Sequence, residues 1–149
     1  MRAAGTSMGL ALVLLLSGAA AAEERGTPAD ARALLERAVA RVEKDGVGVA
    51  LAAFNDAEGR FVDRDLYVFC MGPEFKITAH LDPGLRGVDV ATLKDPDGKE
   101  IGREMIMIAK RGGGSVEYRW VNPVSKAVET KISFLEPAGT QCCGVGAYK

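Results

Sequence analysis

The sequence predicts an α+β domain, a five-stranded antiparallel sheet with a long N-terminal helix. Three observations carry this expectation. An apolar stripe at helical spacing runs from Leu34 to Val42. Short runs of β-forming residues stand at 66–70 and 75–81. The last third of the chain, SVEYRWVNPVSKAVETKISFLEPAGTQCCGVGAYK, divides into three consecutive strands at two Pro-containing turns.

Each element has a local cause. Thr27-Pro28-Ala29-Asp30 opens the first helix: Thr27 caps, Pro28 suits the first helical position, and Asp30 favours the positive helix end. Leu34, Leu35, Ala38, Val39 and Val42 form its buried stripe, and Asp45-Gly46 ends it. VGVALAAF, 47–54, reads as a second, shorter helix stopped by Asn55-Asp56 and Gly59. LYVFC, 66–70, is a compact strand; Met71-Gly72-Pro73-Glu74 turns it into FKITAHL, 75–81, so the two are expected as a hairpin. A turn at Asp82-Pro83-Gly84 leads into a loop through Leu93. Asp97 with Glu100 resembles a capping box for a third helix, whose stripe is Ile101, Met105, Ile108 and Ala109. Gly112-Gly113-Gly114 ends that helix, and strands at 115–122, 127–135 and 141–148 complete the order.

The N-terminus reads as an address. Arg2 precedes an apolar run from Gly9 to Ala22, too short to span a bilayer comfortably and ending in small residues. Residues 1–22 are expected to be a secretory signal peptide, and 23–149 one mature domain, periplasmic or secreted. Net charge is −1 with basic and acidic residues interspersed. Nucleic-acid binding, which needs a concentrated basic face, is not expected.

Cys70, Cys142 and Cys143 make an odd count in an oxidising compartment. A bond from Cys70 to either Cys142 or Cys143 requires the first and last strands to pack closely. Otherwise all three are small apolar residues of buried strands. No C-x-x-C motif is present.

No catalytic constellation stands in the chain. His80 is the only histidine, so a zinc site lacks ligands and a nucleophile–histidine pair lacks its signature. No cofactor is expected, and the protein is not expected to be an enzyme. The glycine run at 112–114 follows a helix rather than opening one, the wrong end for a phosphate. Tyr118 and Trp120 lie two apart on one strand and so share a face, either walling a pocket or packing in the core. His80 and Tyr67 are candidates for hydrogen bonding in such a pocket. Arg86 and Arg103 fit anion clamps or, more simply, the surface.

Three stretches carry a resemblance: ARALLERAVARVEKDGVGVALAAFND followed by GRFVDRDLYVF; TAHLDPGLRGVDVATLKDPDGKEIGREMIMIAKRGGGSVEYRWVNP; and KAVETKISFLEPAGTQCCGVGAYK. In this order the chain, from about Asp30 to Lys149, resembles the small single Cache domains, extracytoplasmic relatives of the PAS fold. It departs from their pattern at Leu81, where members tend to carry Pro after the histidine, and at the doubled Cys142-Cys143. The resemblance implies sensing of a small molecule, often a short carboxylate, in a pocket over the sheet. It implies Lys131 as the counter-charge for such an acid, with Tyr67, His80, Tyr118 and Trp120 around it and Ser133 on the same face. With the sequence ending at Lys149, output is expected through a partner such as a membrane receptor or histidine kinase, in sensing or chemotaxis. Two other readings remain open: an interaction module that dimerises or docks through its N-terminal helix, and a thiol redox protein using Cys142 and Cys143.

Overall fold

The computed structural model describes residues 25–149. The signal-peptide reading of residues 1–22 lies outside them. Helix α1, Pro28–Asp45, begins as its sequence predicts. The Asp30 N–H donates to Thr27 Oγ1 (3.1 Å) and the Thr27 N–H donates to Asp30 Oδ2 (3.0 Å), a reciprocal capping box. Ala31, Leu34, Leu35, Ala38 and Val42 are its buried face. Gly46, at φ 83°, breaks the helix and starts α2, Val47–Phe54.

Six strands follow rather than five. The added one is β1, Val62–Asp63, two residues that pair antiparallel with the start of β2, Leu66–Met71, across a tight turn. Two residues carry no periodicity, which is why no pattern announced them. Strand β3 covers only Ile77–Ala79 of the predicted 75–81. Phe75 sits at φ 56°, and His80 and Leu81 leave the ladder toward the 3-10 turn Pro83–Leu85. The remaining elements are the 3-10 turn Val90–Thr92, helix α3 (Ile101–Lys110), β4 (Gly114–Val121), β5 (Val128–Ala138) and β6 (Gln141–Tyr148).

The sheet order is β1-β2-β6-β5-β4 with β3 also on β2, and every pairing is antiparallel. Strand β5 runs through Pro137, where a turn was expected. The β4–β5 ladder stops at Gly114 and Leu135, so the proline's missing N–H faces no paired strand on that side. The capping box predicted at Asp97 and Glu100 does not form. Glu100 caps α3 without a side-chain bond, while the buried Asp95 carboxylate accepts from the Asp97 and Lys99 N–H groups (2.9 Å each).

The sheet is covered on both faces, and β2 is buried along its whole length. One core layer joins α1 and α2 to Val68, Cys70, Phe134, Cys143 and Val145. The other joins α3 and the Val90 turn to Tyr67, Phe69, Val116, Tyr118 and Cys142. Cys70 and Cys143 face each other across β2 and β6 and form a disulfide in the α1 layer. Cys142 is free and buried on the opposite face. The Cys142–Cys143 redox reading is therefore corrected: adjacent strand residues point to opposite faces, one sulfur is already bonded, and burial pushes the other thiol up to about 11.

Candidate functional site

The site grows out of strand register. Tyr118 lies opposite Lys131, Lys131 opposite Tyr148, and Ser133 opposite Gly146. These residues share the face turned away from α1. Lysine is a long side chain, and here it lies across β6 instead of rising from the sheet. The space it uses exists because residue 146 is glycine: a Cβ there would overlap Lys131 Cε and Ser133 Oγ. The stem ends with Nζ donating to Tyr67 Oη at 2.9 Å.

Lys131 is 1% exposed. Its ammonium lies 4.1 Å from the Tyr67 ring centroid, 5.1 Å from that of Tyr148 and 5.6 Å from that of Phe69, inside a cage of aromatic faces. No carboxylate forms an ion pair with it among the described residues. Burial pulls its pKa down to about 7, with the Asp65 charge acting weakly the other way.

The neighbours are polar and uncharged. His80 is 7% exposed, and its ring stands edge-on to Tyr67 with centroids 5.1 Å apart. Its Nδ1 accepts the Asp82 N–H at 2.9 Å, so the neutral ring carries its proton on Nε2. Burial and then the nearby Lys131 charge lower its pKa to about 4. Burial raises the hydroxyls of Tyr67, Tyr118 and Tyr148 above the ordinary tyrosine range. The Tyr118 hydroxyl is 2.9 Å from Ser133 Oγ, and Tyr148 donates to the Val121 carbonyl at 2.7 Å.

A cavity of about 610 Å³ opens beside this cluster. Tyr67, His80 and Trp120 form its inner wall. Leu81, Asp82, Leu85, Lys94, Asp95, Pro96, Val121, Pro123 and Lys126 complete it. Its size lies in the range of small-molecule pockets. Tyr118 faces a small adjoining void with His80 and Trp120, and its ring meets Trp120 edge-on at 5.9 Å. Lys131 stands behind Tyr67, outside the cavity lining. Among the described residues no cluster of His, Cys, Asp and Glu is arranged to hold a metal ion.

Of the residues singled out from sequence, Tyr67, His80 and Trp120 line the cavity, while Tyr118 and Lys131 lie one layer behind. The two arginines do not enter it. Arg86 donates to the His80 and Asn55 carbonyls (3.0 and 3.1 Å), bracing the loop, and Arg103 is exposed. Sequence reasoning missed Lys94 and Lys126 at the mouth, and Tyr148, which the alternation from Gly144 and Gly146 would have placed on the same face.

The cavity rim is tied to the start of the fold. Asn122, buried in the β4–β5 turn, donates through Nδ2 to Asp65 Oδ2 (3.0 Å) and Glu129 Oε2 (3.1 Å). Asp65 also accepts the Gly26 N–H at 2.7 Å, and Arg25 pairs with Glu129 at 3.1 Å.

Comparison with known proteins agrees with this architecture. The family described as Single Cache domain 2 matches residues 12–139. A solved methyl-accepting chemotaxis protein from Vibrio parahaemolyticus superposes with TM-score 0.67 at 22% identity, covering 80% of this chain and 86% of that one. A periplasmic sensor domain of a chemotaxis protein gives 0.60 at 28% identity over 78% and 86%. A Cache chemosensory domain studied for carboxylic acid recognition gives 0.57 at 24% identity over 78% and 84%. The sensor histidine kinase MctS of Rhizobium johnstonii is 42% identical over 43 residues, 29% of this chain and 9% of that protein. The chain thus spans only a small part of that kinase. Single Cache domains are extracytoplasmic sensing modules, and among the described residues no helix is long and apolar enough to cross a membrane. With the mixed helix and antiparallel-sheet fold and the family match over most of its length, the chain belongs to the single Cache domain 2 family.

Proposed function

We propose that this chain is a periplasmic or secreted sensor domain that binds a small molecule, a short carboxylate, in the cavity beside Tyr67, His80 and Trp120. The observation that carries this reading is Lys131: a buried lysine whose hydrogen-bond partner is a phenol and which has no carboxylate beside it. Buried cations ordinarily have a counter-ion, because desolvating an unpaired charge is costly. An acid in the cavity supplies one. Tyr67 Oη accepts from Lys131, which leaves its own O–H proton to donate either to the neighbouring Tyr148 oxygen or to an acid in the cavity. The His80 Nε2–H is a second donor, Trp120 is an apolar wall, and Tyr118 braces Trp120 from behind. No catalytic step is assigned to any of these groups.

In this reading residues 1–22 are a signal peptide and 23–149 the mature domain, and the signal leaves through a membrane receptor or histidine kinase, or through pairing of two copies along α1. The carboxylic acid recognition named for one structural neighbour supports the choice of ligand class. A thermal-shift screen against acetate, lactate, pyruvate and succinate tests it. Ligand at about 100 times its dissociation constant adds roughly 2.7 kcal/mol of stability, a rise of several degrees. If no acid raises the melting temperature, the reading fails.

A further inference from the structure

We propose that the domain takes up its acid together with one proton, which lodges on Lys131 behind Tyr67. This rests on the carboxylate-binding reading and adds to it the balance of charge: RCOO⁻ + H⁺ + Lys131–NH₂ → RCOO⁻ held in the cavity across Tyr67 from Lys131–NH₃⁺, the proton coming from solvent. The acid itself arrives ionised, because short carboxylic acids lose their proton well below neutral pH.

The geometry leads to this step. A buried amine without an anion beside it is stable neutral, and charged only when an anion arrives. Every group that faces Lys131 has been spent or is uncharged. From β2, the uncharged Tyr67 hydroxyl accepts from the amine and adjoins the Tyr148 hydroxyl. From β4 and β5, the Tyr118 and Ser133 hydroxyls bond each other. From β6, Tyr148 donates to the Val121 carbonyl. From the turn before β2, the Asp65 carboxylate is engaged by the Gly26 N–H and the Asn122 amide. From the loop after β3, His80 accepts the Asp82 N–H, Asp82 Oδ1 accepts the Gly84 N–H, and Arg86 is taken up by backbone carbonyls. Glu129 is paired with Arg25 and Asn122. Among the described residues the amine forms no second hydrogen bond. The lowered proton affinity of Lys131, with its pKa near 7, sets the window in which the coupling is visible.

Isothermal titration of the domain with the tightest binder of acetate, lactate, pyruvate and succinate is the test, run in phosphate and in Tris from pH 6.5 to 8.5. The binding-competent fraction is the protonated one, so the apparent dissociation constant rises about 25-fold between pH 6.5 and 8.5. The two buffers return different enthalpies at pH 8, corresponding to nearly one proton taken up per acid bound. Lys131→Met binds more weakly, with no pH dependence and no buffer dependence. An acid that binds wild type with constant affinity and equal enthalpy in both buffers overturns the proton coupling and leaves the carboxylate reading intact. No binding by any of the four acids at any pH overturns both. If the variant does not fold, the wild-type buffer comparison decides alone.

Discussion

The apo domain is expected to become more stable as pH rises from 7.0 to 8.5, through Lys131. Its amine has a pKa near 7 in the fold against 10.5 in a solvated chain. Across that interval the unfolded chain therefore holds more protons than the folded one. Stability rises with pH wherever that is so, and the penalty from this group is full below pH 7 and gone above about 10.5. Near pH 7 the folded lysine is about half protonated and the unfolded one fully so. By pH 8.5 the folded lysine is almost neutral, while the unfolded one remains charged. At about 1.4 kcal/mol per pH unit of full proton difference, the gain between the two pH values is about 1.5 kcal/mol. Other groups act outside the interval. His80, lowered from 6.5 to about 4, costs stability as pH falls below 6.5, and Cys142, raised to about 11, acts above about pH 9. Urea denaturation of the oxidised protein at the two pH values measures the gain. Lys131→Met fits the same stem and removes the ionisation. It should be nearly flat across the interval, and at pH 7 more stable than wild type, offset by about 1 kcal/mol for the unpaired Tyr67 hydroxyl. Parallel pH profiles for wild type and variant, or a wild type that loses stability toward pH 8.5, would refute the assignment of a largely neutral buried amine.

Three further outcomes follow from the same packing. The disulfide closes a loop spanning a sequence separation of 73, so Cys70→Ala with Cys143→Ala should lower unfolding stability by about 4 kcal/mol, read by urea denaturation at equal pH; a loss below about 1 kcal/mol would mean the bond does not hold the sheet centre. Gly146→Ala crowds the Lys131 stem and the Ser133 hydroxyl and should cost about 1–3 kcal/mol. An unchanged melting temperature would show that the lysine does not lie across β6. Trp120 is the only tryptophan and lines the cavity, so its emission should change on acid binding, with Tyr67→Phe shifting that titration to about tenfold higher acid through loss of one charge-assisted hydrogen bond. A signal unmoved by saturating acid, in a protein that calorimetry shows to bind it, would place the ligand elsewhere.

Elements with strong local causes were legible in the sequence. The Thr27 cap, the Leu34–Val42 stripe and the break at Gly46 all depend on residues within a turn or two of each other, and all three form as read, with Asp30 bonding back to the Thr27 N–H as well. Elements decided by distant contacts were not legible. The Phe75–Leu81 run alternates well, yet only Ile77–Ala79 pairs, because Phe75 takes a positive φ and Arg86 holds the His80 carbonyl just past the strand. Strand β1 exists only because β2 offers it an edge. Alternation alone put Tyr118 with Trp120 on one strand and Lys131 with Ser133 on the next; the register Tyr118↔Lys131 joins the two pairs on one face. Which of them reach the cavity did not, since that depends on Gly146 letting one long side chain lie down and on Tyr67 standing in front of its tip. The disulfide partner of Cys70 was likewise a matter of register between β2 and β6, invisible until the strands are aligned.

The Asn122 amide joins the mouth of the cavity to residues that precede α1. It touches Asp65 and Glu129 at once, and those two carboxylates grip the Gly26 backbone and the Arg25 side chain. Val121 and Pro123, the neighbours of Asn122, are cavity wall, and the Val121 carbonyl is also held by Tyr148 near the chain's other end. A wedge driven between the inner wall and the β4–β5 turn therefore acts like a crowbar with a short arm. It must either stretch bonds of about 3 Å to a buried carboxylate or drag the first residues of the described chain with it. One amide thus ties whatever moves the cavity wall to the residues that lead into α1.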